Sequence, residues 1–255
     1  MSRSRDPDWR RIVDAASAPY RRAGRFAWHF ARGKLGMDPV FRHLLSVGLI
    51  PPAARVVDIG CGQGLLASLL RCADEAGAAG RWPQGWAAAP RGASYTGIEL
   101  MPRDVERAQA AVGSAGTFVC GDMRRVPLPA CDAVVILDVL HYATVAEQDA
   151  LLARVRDALS PGGRLLLRVG DADARRGFVI SQWVDRVVTH VRGHRVPPTY
   201  GRPLSAWRET LQRLGFTVEP RPMSEGTPFS NVLLVAERRP ERPPERLADA
   251  AKAGR

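Results

Sequence analysis

Five short apolar runs set the rhythm of the chain, at residues 55–59, 94–98, 117–120, 133–137 and 164–169, each dense in Val, Ile or Leu. Such runs suit parallel strands buried on both faces. The segments 65–76, 102–112 and 147–159 lie between them with apolar residues at helical spacing. Strand and helix alternating in this way predicts a doubly wound α/β sheet. The first fifty residues read differently. Asp6-Pro7 and Asp38-Pro39 each place a capping carboxylate before a proline suited to a first helical turn, so each predicts a helix start. Between them, Trp9, Tyr20, Phe26, Trp28 and Phe30 interleave with arginines. That texture predicts an amphipathic cover, either packed on the main fold or closing a pocket as a lid. Ile50-Pro51-Pro52 ends it. Beyond the alternating region, 205–214 reads as a helix closed by Gly215, and 217–220 and 232–236 as two strands. Their link is too short for a crossover helix, so they are expected to be antiparallel neighbours. The predicted organisation is a helical cap at 1–52, a main domain at 53–238 and a disordered tail at 239–255, where Arg, Pro, Glu and Ala leave little to bury.

Composition narrows the class. A chain of 255 residues, 45% hydrophobic and 25% charged, is ordinary for a globular protein. No stretch approaches the roughly 20 apolar residues of a membrane span, and residues 1–7 lack the apolar block of a secretory signal, so a soluble, cytoplasmic protein is expected. Cys61, Cys72, Cys120 and Cys131 form no C-x-x-C pair, and neither disulfides nor a metal site is expected. The net charge of +11 is almost wholly arginine, since Lys34 and Lys252 are the only lysines. It suits nucleic acid, an anionic membrane or an acidic protein partner, and it equally suits a compositional bias.

Chemistry concentrates in Asp58-Ile59-Gly60-Cys61-Gly62-Gln63-Gly64, which follows the first strand and opens a helix. A dinucleotide would set its pyrophosphate at that helix start, where Asp58 would oppose it. S-adenosylmethionine has no phosphate; an acidic strand end suits its cationic part, and bare glycines let the backbone close on the rest. Glu99 ends the second strand, where a carboxylate takes ribose hydroxyls in other α/β nucleotide sites. Leu100 follows it. Asp122 follows the third strand, placed to accept from an adenine amino group with Met123 beside the ring. Asp132 begins the fourth strand, Asp138-Val139-Leu140-His141-Tyr142 leaves it, and Ser160-Pro161-Gly162-Gly163 turns into the fifth. All of these are expected along the carboxyl edges of the strands, where open α/β sheets bind ligands.

With these residues in place, the stretch from about 55 to 238 resembles the class I, Rossmann-like S-adenosylmethionine-dependent methyltransferases. The resemblance implies a seven-stranded, mostly parallel sheet with an antiparallel edge hairpin. It implies S-adenosylmethionine as cofactor, with Asp58, Gly60, Gly62, Gly64, Glu99 and Asp122 as its contacts; Cys61, Leu100, Met123 and Asp138, beside them in the sequence or at the same edge, are further candidate contacts. One departure is the segment 77–91, with Trp82 and Trp86, which carries Glu99 beyond the usual spacing of about 20 residues.

The acceptor is read by elimination. The exit of the fourth strand has neither the Asp/Asn-Pro-Pro-aromatic run common in methyltransferases of amino groups nor the Pro-Cys of cytosine carbon methyltransferases, and no paired-glutamate loop is present. A small molecule remains, with oxygen as the favoured atom. His141 is the leading candidate base, though a histidine there also packs beside the cofactor; His29, on the cover, is the second. His190, Arg192 and His194 form either an anion site or a solvated face, and Arg168 and Asp171 either orient substrate or pair. The loop 222–231 is similar to one in bacterial methyltransferases encoded among polyketide and aryl-polyene pigment enzymes. That likeness implies a phenolic acceptor, free or on an acidic acyl carrier protein. An RNA methyltransferase is the alternative enzyme, favoured by charge but without an appended RNA-binding module. A cofactor-binding scaffold without catalysis is the third reading.

Overall fold

The computed structural model describes residues 6–170, 199–224 and 231–240. Its centre is a seven-stranded sheet in the order β3-β2-β1-β4-β5-β7-β6. The strands are β1 (Arg55–Ile59), β2 (Ser94–Glu99), β3 (Thr117–Cys120), β4 (Cys131–Leu137), β5 (Leu159–Gly170), β6 (Phe216–Pro222) and β7 (Asn231–Arg238). The first five are parallel, and β7 runs antiparallel between β5 and β6. The last two strands are therefore antiparallel neighbours, as their short link requires, but β7 lies inside and β6 forms the edge.

Among the described residues four helices flank the sheet: α4 (Leu65–Ala78), α5 (Pro102–Val112), α6 (Val145–Ala158) and α7 (Leu204–Arg213). Gly215, at φ +86°, ends α7 in the left-handed conformation that glycine tolerates. Helix α6 starts two residues before its predicted start. Thr144 accepts from the Glu147 amide while Glu147 accepts from the Thr144 amide, a reciprocal cap that the sequence T-x-x-E spells out. The turn Ser160-Pro161-Gly162-Gly163 forms, with Gly162 at φ +77°, but inside the bounds of β5, because Leu159 already pairs with Cys131 before it and Arg164 with Ala133 after it.

The N-terminal segment folds into α1 (Pro7–Ser17), a 3-10 turn (Ala18–Arg21), α2 (Arg25–Met37) and α3 (Pro39–Ser46). The caps are the two read from sequence: Asp6 accepts from the amides of Asp8 and Trp9, and Asp38 from that of Val40. These helices share one hydrophobic cluster with β1 and α4, in which Trp9, Ile12, Ala16, Leu35 and Leu44 join Val56, Leu66 and Leu69. The 77–91 insertion reaches the same place. Trp82 and Trp86 meet edge to face at 5.4 Å, and Trp86 lies 6.2 Å from Trp9. Among the described residues no helix is long and apolar enough to cross a membrane.

Candidate active site

The carboxyl ends of β1, β2, β3, β4 and β5 form one edge, and the glycine loop stands at its middle. Gly60, Gly62 and Gly64 all have positive φ (75°, 54° and 73°), which only glycine adopts without strain. Two of the three also yield to neighbours. A Cβ on Gly60 would lie 2.5 Å from Val139, and one on Gly64 2.9 Å from the Phe118 ring, whereas a Cβ on Gly62 would meet nothing within 4 Å. Gly62 is thus the open glycine, where an occupant can close on the backbone. Cys61 fills the groove over Gly97, whose Cβ would sit 2.7 Å from its sulfur.

Two carboxylates face this loop. Asp58 is buried and accepts a 2.6 Å bond from the Tyr95 hydroxyl. Burial pushes its pKa up to about 7; the Tyr95 bond opposes that and the nearby charge of Glu99 adds to it. Glu99 accepts from the amides of Gly62 and Met101, both at 2.9 Å, and so fixes the loop from the neighbouring strand. Among the described residues neither carboxylate has an arginine or lysine partner, in a chain carrying +11. Leu100, next to Glu99, is 61% exposed. Asp122 is gripped by Arg124, whose hydrogen bonds hold its carboxyl below the usual range, and Arg124 also reaches Glu147. The Met123 carbonyl accepts from Arg154 at 3.1 Å.

The cap is tied to this edge at two points. The Tyr20 hydroxyl donates to the Gln63 carbonyl at 2.8 Å, and the Gln63 side chain donates to the Ala27 carbonyl of α2 at 3.1 Å. Further along, Arg168 at the end of β5 is 2% exposed. It holds Asp138 at 2.8 Å through Nε and Asp38 at 2.8 Å through Nη2, and Lys34 adds a bond to Asp38 at 2.8 Å and a contact to Asp138 at 3.7 Å. Burial alone would raise the pKa of Asp38, but the charges and bonds of Arg168 and Lys34 outweigh it and hold that carboxyl well below the carboxylate range. Asp138 sits at φ +59°, a left-handed conformation rare outside glycine, and Arg168 fixes its side chain there. Sequence reasoning placed Asp138 and Arg168 at this edge but missed Lys34 and the second role of Asp38, which it read only as a helix cap.

One expectation fails. Asp132 lies at the amino edge of the sheet, where it accepts from Arg55 at 2.9 Å and from Ser160 at 2.8 Å. It starts a parallel strand, so it stands on the side opposite the strand exits, and the Ser160 turn is there with it. The group is a structural brace joining the starts of β1, β4 and β5.

His141 follows β4 in a short 3-10 turn, its ring 4.2 Å from that of Tyr142. Burial draws its pKa below 6.5, against the raising effect of Asp138, so the imidazole is neutral at pH 7. His29 lies on the exposed face of α2, its ring 4.5 Å from Trp28, away from the stripe Ala27, Ala31 and Leu35 that α2 buries. Asp171, His190, Arg192, His194 and most of the loop 222–231 lie outside the described residues, as does nearly all of the tail.

Comparison with known proteins agrees with this geometry. A 60-residue stretch is 40% identical to the tetracenomycin polyketide synthesis 8-O-methyl transferase TcmO of Streptomyces glaucescens, covering 23% of this chain and 18% of that protein. Over 137 residues the chain is 29% identical to the ubiquinone biosynthesis O-methyltransferase of Xanthomonas axonopodis pv. citri, covering 51% and 49%. The matched stretch thus spans half or less of the length of these relatives. In fold, the chain is similar to magnesium protoporphyrin IX methyltransferase (ChlM) from Synechocystis PCC 6803, solved with bound SAH, at a TM-score of 0.56 and 21% identity over 91% of this chain and 93% of that one. The methyltransferase-domain family matches residues 4–220, cap included. With the seven-stranded order and the glycine loop already in place, that match settles the family: the chain belongs to the methyltransferase-domain proteins, in their class I, S-adenosylmethionine-dependent form.

Proposed function

We propose that this chain transfers a methyl group from S-adenosylmethionine to a hydroxyl oxygen of a small aryl or polyketide-type acceptor, free or carried on an acidic acyl carrier protein. The observation that carries the cofactor reading is the pair Asp58 and Glu99, buried or half-buried beside the open Gly62 with no arginine or lysine partner among the described residues. A ligand bearing a sulfonium and an ammonium, and no phosphate, meets that need. Glu99 keeps lone pairs for ribose hydroxyls after accepting two amides, since a carboxylate has about four acceptor sites. Asp122, oriented by Arg124, takes the adenine amino group, with Met123 and the exposed Leu100 against the ring. Asp138 adds a carboxylate at the same edge.

S-adenosylmethionine held by these residues would supply a methyl group made electrophilic by its sulfonium, with the neutral thioether as leaving group. The protein's part is to align the acceptor, exclude water and remove the hydroxyl proton. His141 accepts that proton on a ring nitrogen and returns it to solvent. Support for an oxygen acceptor comes from the strand exit, Asp138-Val139-Leu140-His141, and from the names of the two relatives. Support for a carrier comes from Arg21, Arg22, Arg25 and Arg103, which have no acidic partner among the described residues, while Arg32, Arg42, Arg55, Arg71 and Arg107 each have one. An acidic partner suits such a patch and should bind less well as salt rises.

Labelled cofactor offered with phenols, aryl acids and their carrier-bound forms tests the proposal: methyl transfer to an oxygen is expected, and no transfer to any member overturns it. With a phenol, kcat/KM should stay level from pH 8 to 6.5 and fall as pH drops through the lowered pKa of His141. His141→Gln should remove that acid limb and cost about 10²-fold or more; an unchanged profile would leave His141 as packing only.

The glycines give a sharper check on the pocket. Gly60→Ala and Gly62→Ala share the backbone strain of about 1–2 kcal/mol, but only Gly60→Ala collides with Val139. Thermal melts should show Gly60→Ala as the far less stable of the two. Calorimetry should show Gly62→Ala losing at least tenfold in S-adenosylhomocysteine affinity despite its milder effect on the fold.

A further inference from the structure

Helix α6 carries two side chains that reach the turn after β3. Glu147, in its first turn, accepts from Arg124 at 2.7 Å. Arg154, half-buried, donates to the backbone carbonyls of Met123 at 3.1 Å and Arg124 at 2.8 Å, and to that of Val126. Residues at this separation are close to two helical turns apart, so both side chains stand on one face of α6, roughly 10 Å from each other along its axis. The turn they grip carries Asp122. Its own short bonds close it: the Asp122 carbonyl accepts from the amides of Arg125 and Val126, both at 2.9 Å, and the Gly121 amide donates to the Glu99 carbonyl at 2.9 Å. Gly121 lets the chain fold back tightly, because a Cβ there would lie 2.5 Å from Val126.

The Asp122 carboxylate is nearly saturated by its neighbour. The amide, Nε and Nη2 of Arg124 all donate to it, at 2.9, 2.9 and 2.6 Å. A carboxylate offers about four acceptor sites, so about one remains for a ligand. Asp122 and Arg124 move together with the turn, and the backbone of the turn therefore sets where that last site points. Arg154 ties this backbone to a helix. Water could satisfy the same three carbonyls, but only a rigid planar fork fixes their direction relative to α6.

We propose that Arg154 is a positioning residue for cofactor recognition: by holding the turn 123–126 against α6 it aims the last free acceptor site of Asp122 at the adenine amino group, and so sets the preference for an adenine-bearing ligand. It rests on the adenine role of Asp122 proposed above and adds the residue through which the fold enforces that role. A site built around one hydrogen bond rejects an analogue that lacks the donor, so loss of Arg154 should appear as lost discrimination and not as weaker binding alone.

Calorimetric titration of the full chain with S-adenosylhomocysteine and with S-inosylhomocysteine tests this without turnover. The second ligand carries a carbonyl oxygen where adenine has its amino group, so Asp122 meets an acceptor in place of a donor. The wild type should prefer S-adenosylhomocysteine by about tenfold or more, the order of a hydrogen bond to a charged group. Arg154→Met keeps the apolar stem without the donors, and should bring the two affinities to within about twofold of each other by weakening the adenine ligand. Arg154→Lys, whose single nitrogen cannot reproduce the fork, should lower the preference by at least about threefold, and it decides the matter if the methionine variant does not fold. A role in stability alone would lower Tm or weaken both ligands alike and leave their ratio intact. That result overturns the proposal and leaves Asp122 as the adenine contact. A wild type that binds both ligands equally overturns the proposal together with the role of Asp122, while the methyltransferase reading stands. Binding of neither ligand removes the cofactor reading as well.

Discussion

Replacing Arg168 with methionine lowers stability at pH 7 by about 3–5 kcal/mol, because it leaves the largely buried Asp38 and the half-buried Asp138 with only Lys34, among the described residues, to balance two carboxylates. In a domain of this size each kcal/mol moves Tm by about 2–4 °C, so the melt should shift by about 6–20 °C. The effect has a defined pH dependence. In the wild type Asp38 is held ionised well below its ordinary pKa, so its contribution is present above the unfolded value of 3.8 and survives until pH falls through the lowered folded value. Without Arg168, burial weighs against Lys34 alone and Asp38 takes up a proton more readily as pH falls, which relieves the excess negative charge. The gap between variant and wild type should therefore be widest near pH 8 and narrow toward pH 4. A constant gap would mean that lost packing of the long side chain, not charge, is the cause. Adding Asp38→Asn and Asp138→Asn should restore much of the loss.

Asp58→Asn should separate stability from function. The Asp58 carboxyl titrates near 7 in the folded protein, above its ordinary value, so the folded state holds its proton more tightly than the unfolded chain. Its stabilising share is full below pH 3.8 and is lost as pH rises through about 7. The neutral asparagine keeps a carbonyl for the Tyr95 hydroxyl and avoids that penalty. Ligand-free Asp58→Asn should consequently melt higher than the wild type at pH 8 and much like it at pH 4. Its affinity for S-adenosylmethionine should fall by about 10²-fold, the order of one charge-assisted hydrogen bond made or lost in a buried site. In the wild type, binding draws the proton off Asp58, so affinity should rise with pH up to about 7 and then level. Calorimetry in two buffers of different ionisation heat should register proton release at pH 6. A wild-type affinity that ignores pH between 6 and 8 would place the cofactor's cationic part elsewhere.

The sequence reached most of the fold because its signals are local. Strands β1 and β3 and helix α5 match their predicted ends to the residue, since each is a short apolar run or a proline-opened helix bounded by glycine, proline or a cap. The glycine loop was legible for the same reason: three glycines at a strand-to-helix turn need positive φ wherever the chain goes afterwards. Where two local signals competed, as at Ser160-Pro161-Gly162-Gly163, the turn was correct and only the strand boundary moved.

What the tertiary structure decided involves partners far apart in the chain. Asp38 and Arg168 lie 130 residues apart and meet because β5 ends beneath the junction of α2 and α3. Tyr95 donates to Asp58 from 37 residues away because β1 and β2 are paired in register. Asp132 read as one more carboxylate at the ligand edge until the sheet placed it at the amino end. The sequence carried the glycine loop, the candidate cofactor carboxylates and the alternation of strands and helices, all set by backbone conformation and burial within a few residues. Helix α2 is different: it looks like any amphipathic helix from its own residues. Only the ties at Gln63 and Arg168 fix it at the strand exits, and such a contact leaves no periodic trace in either segment that makes it.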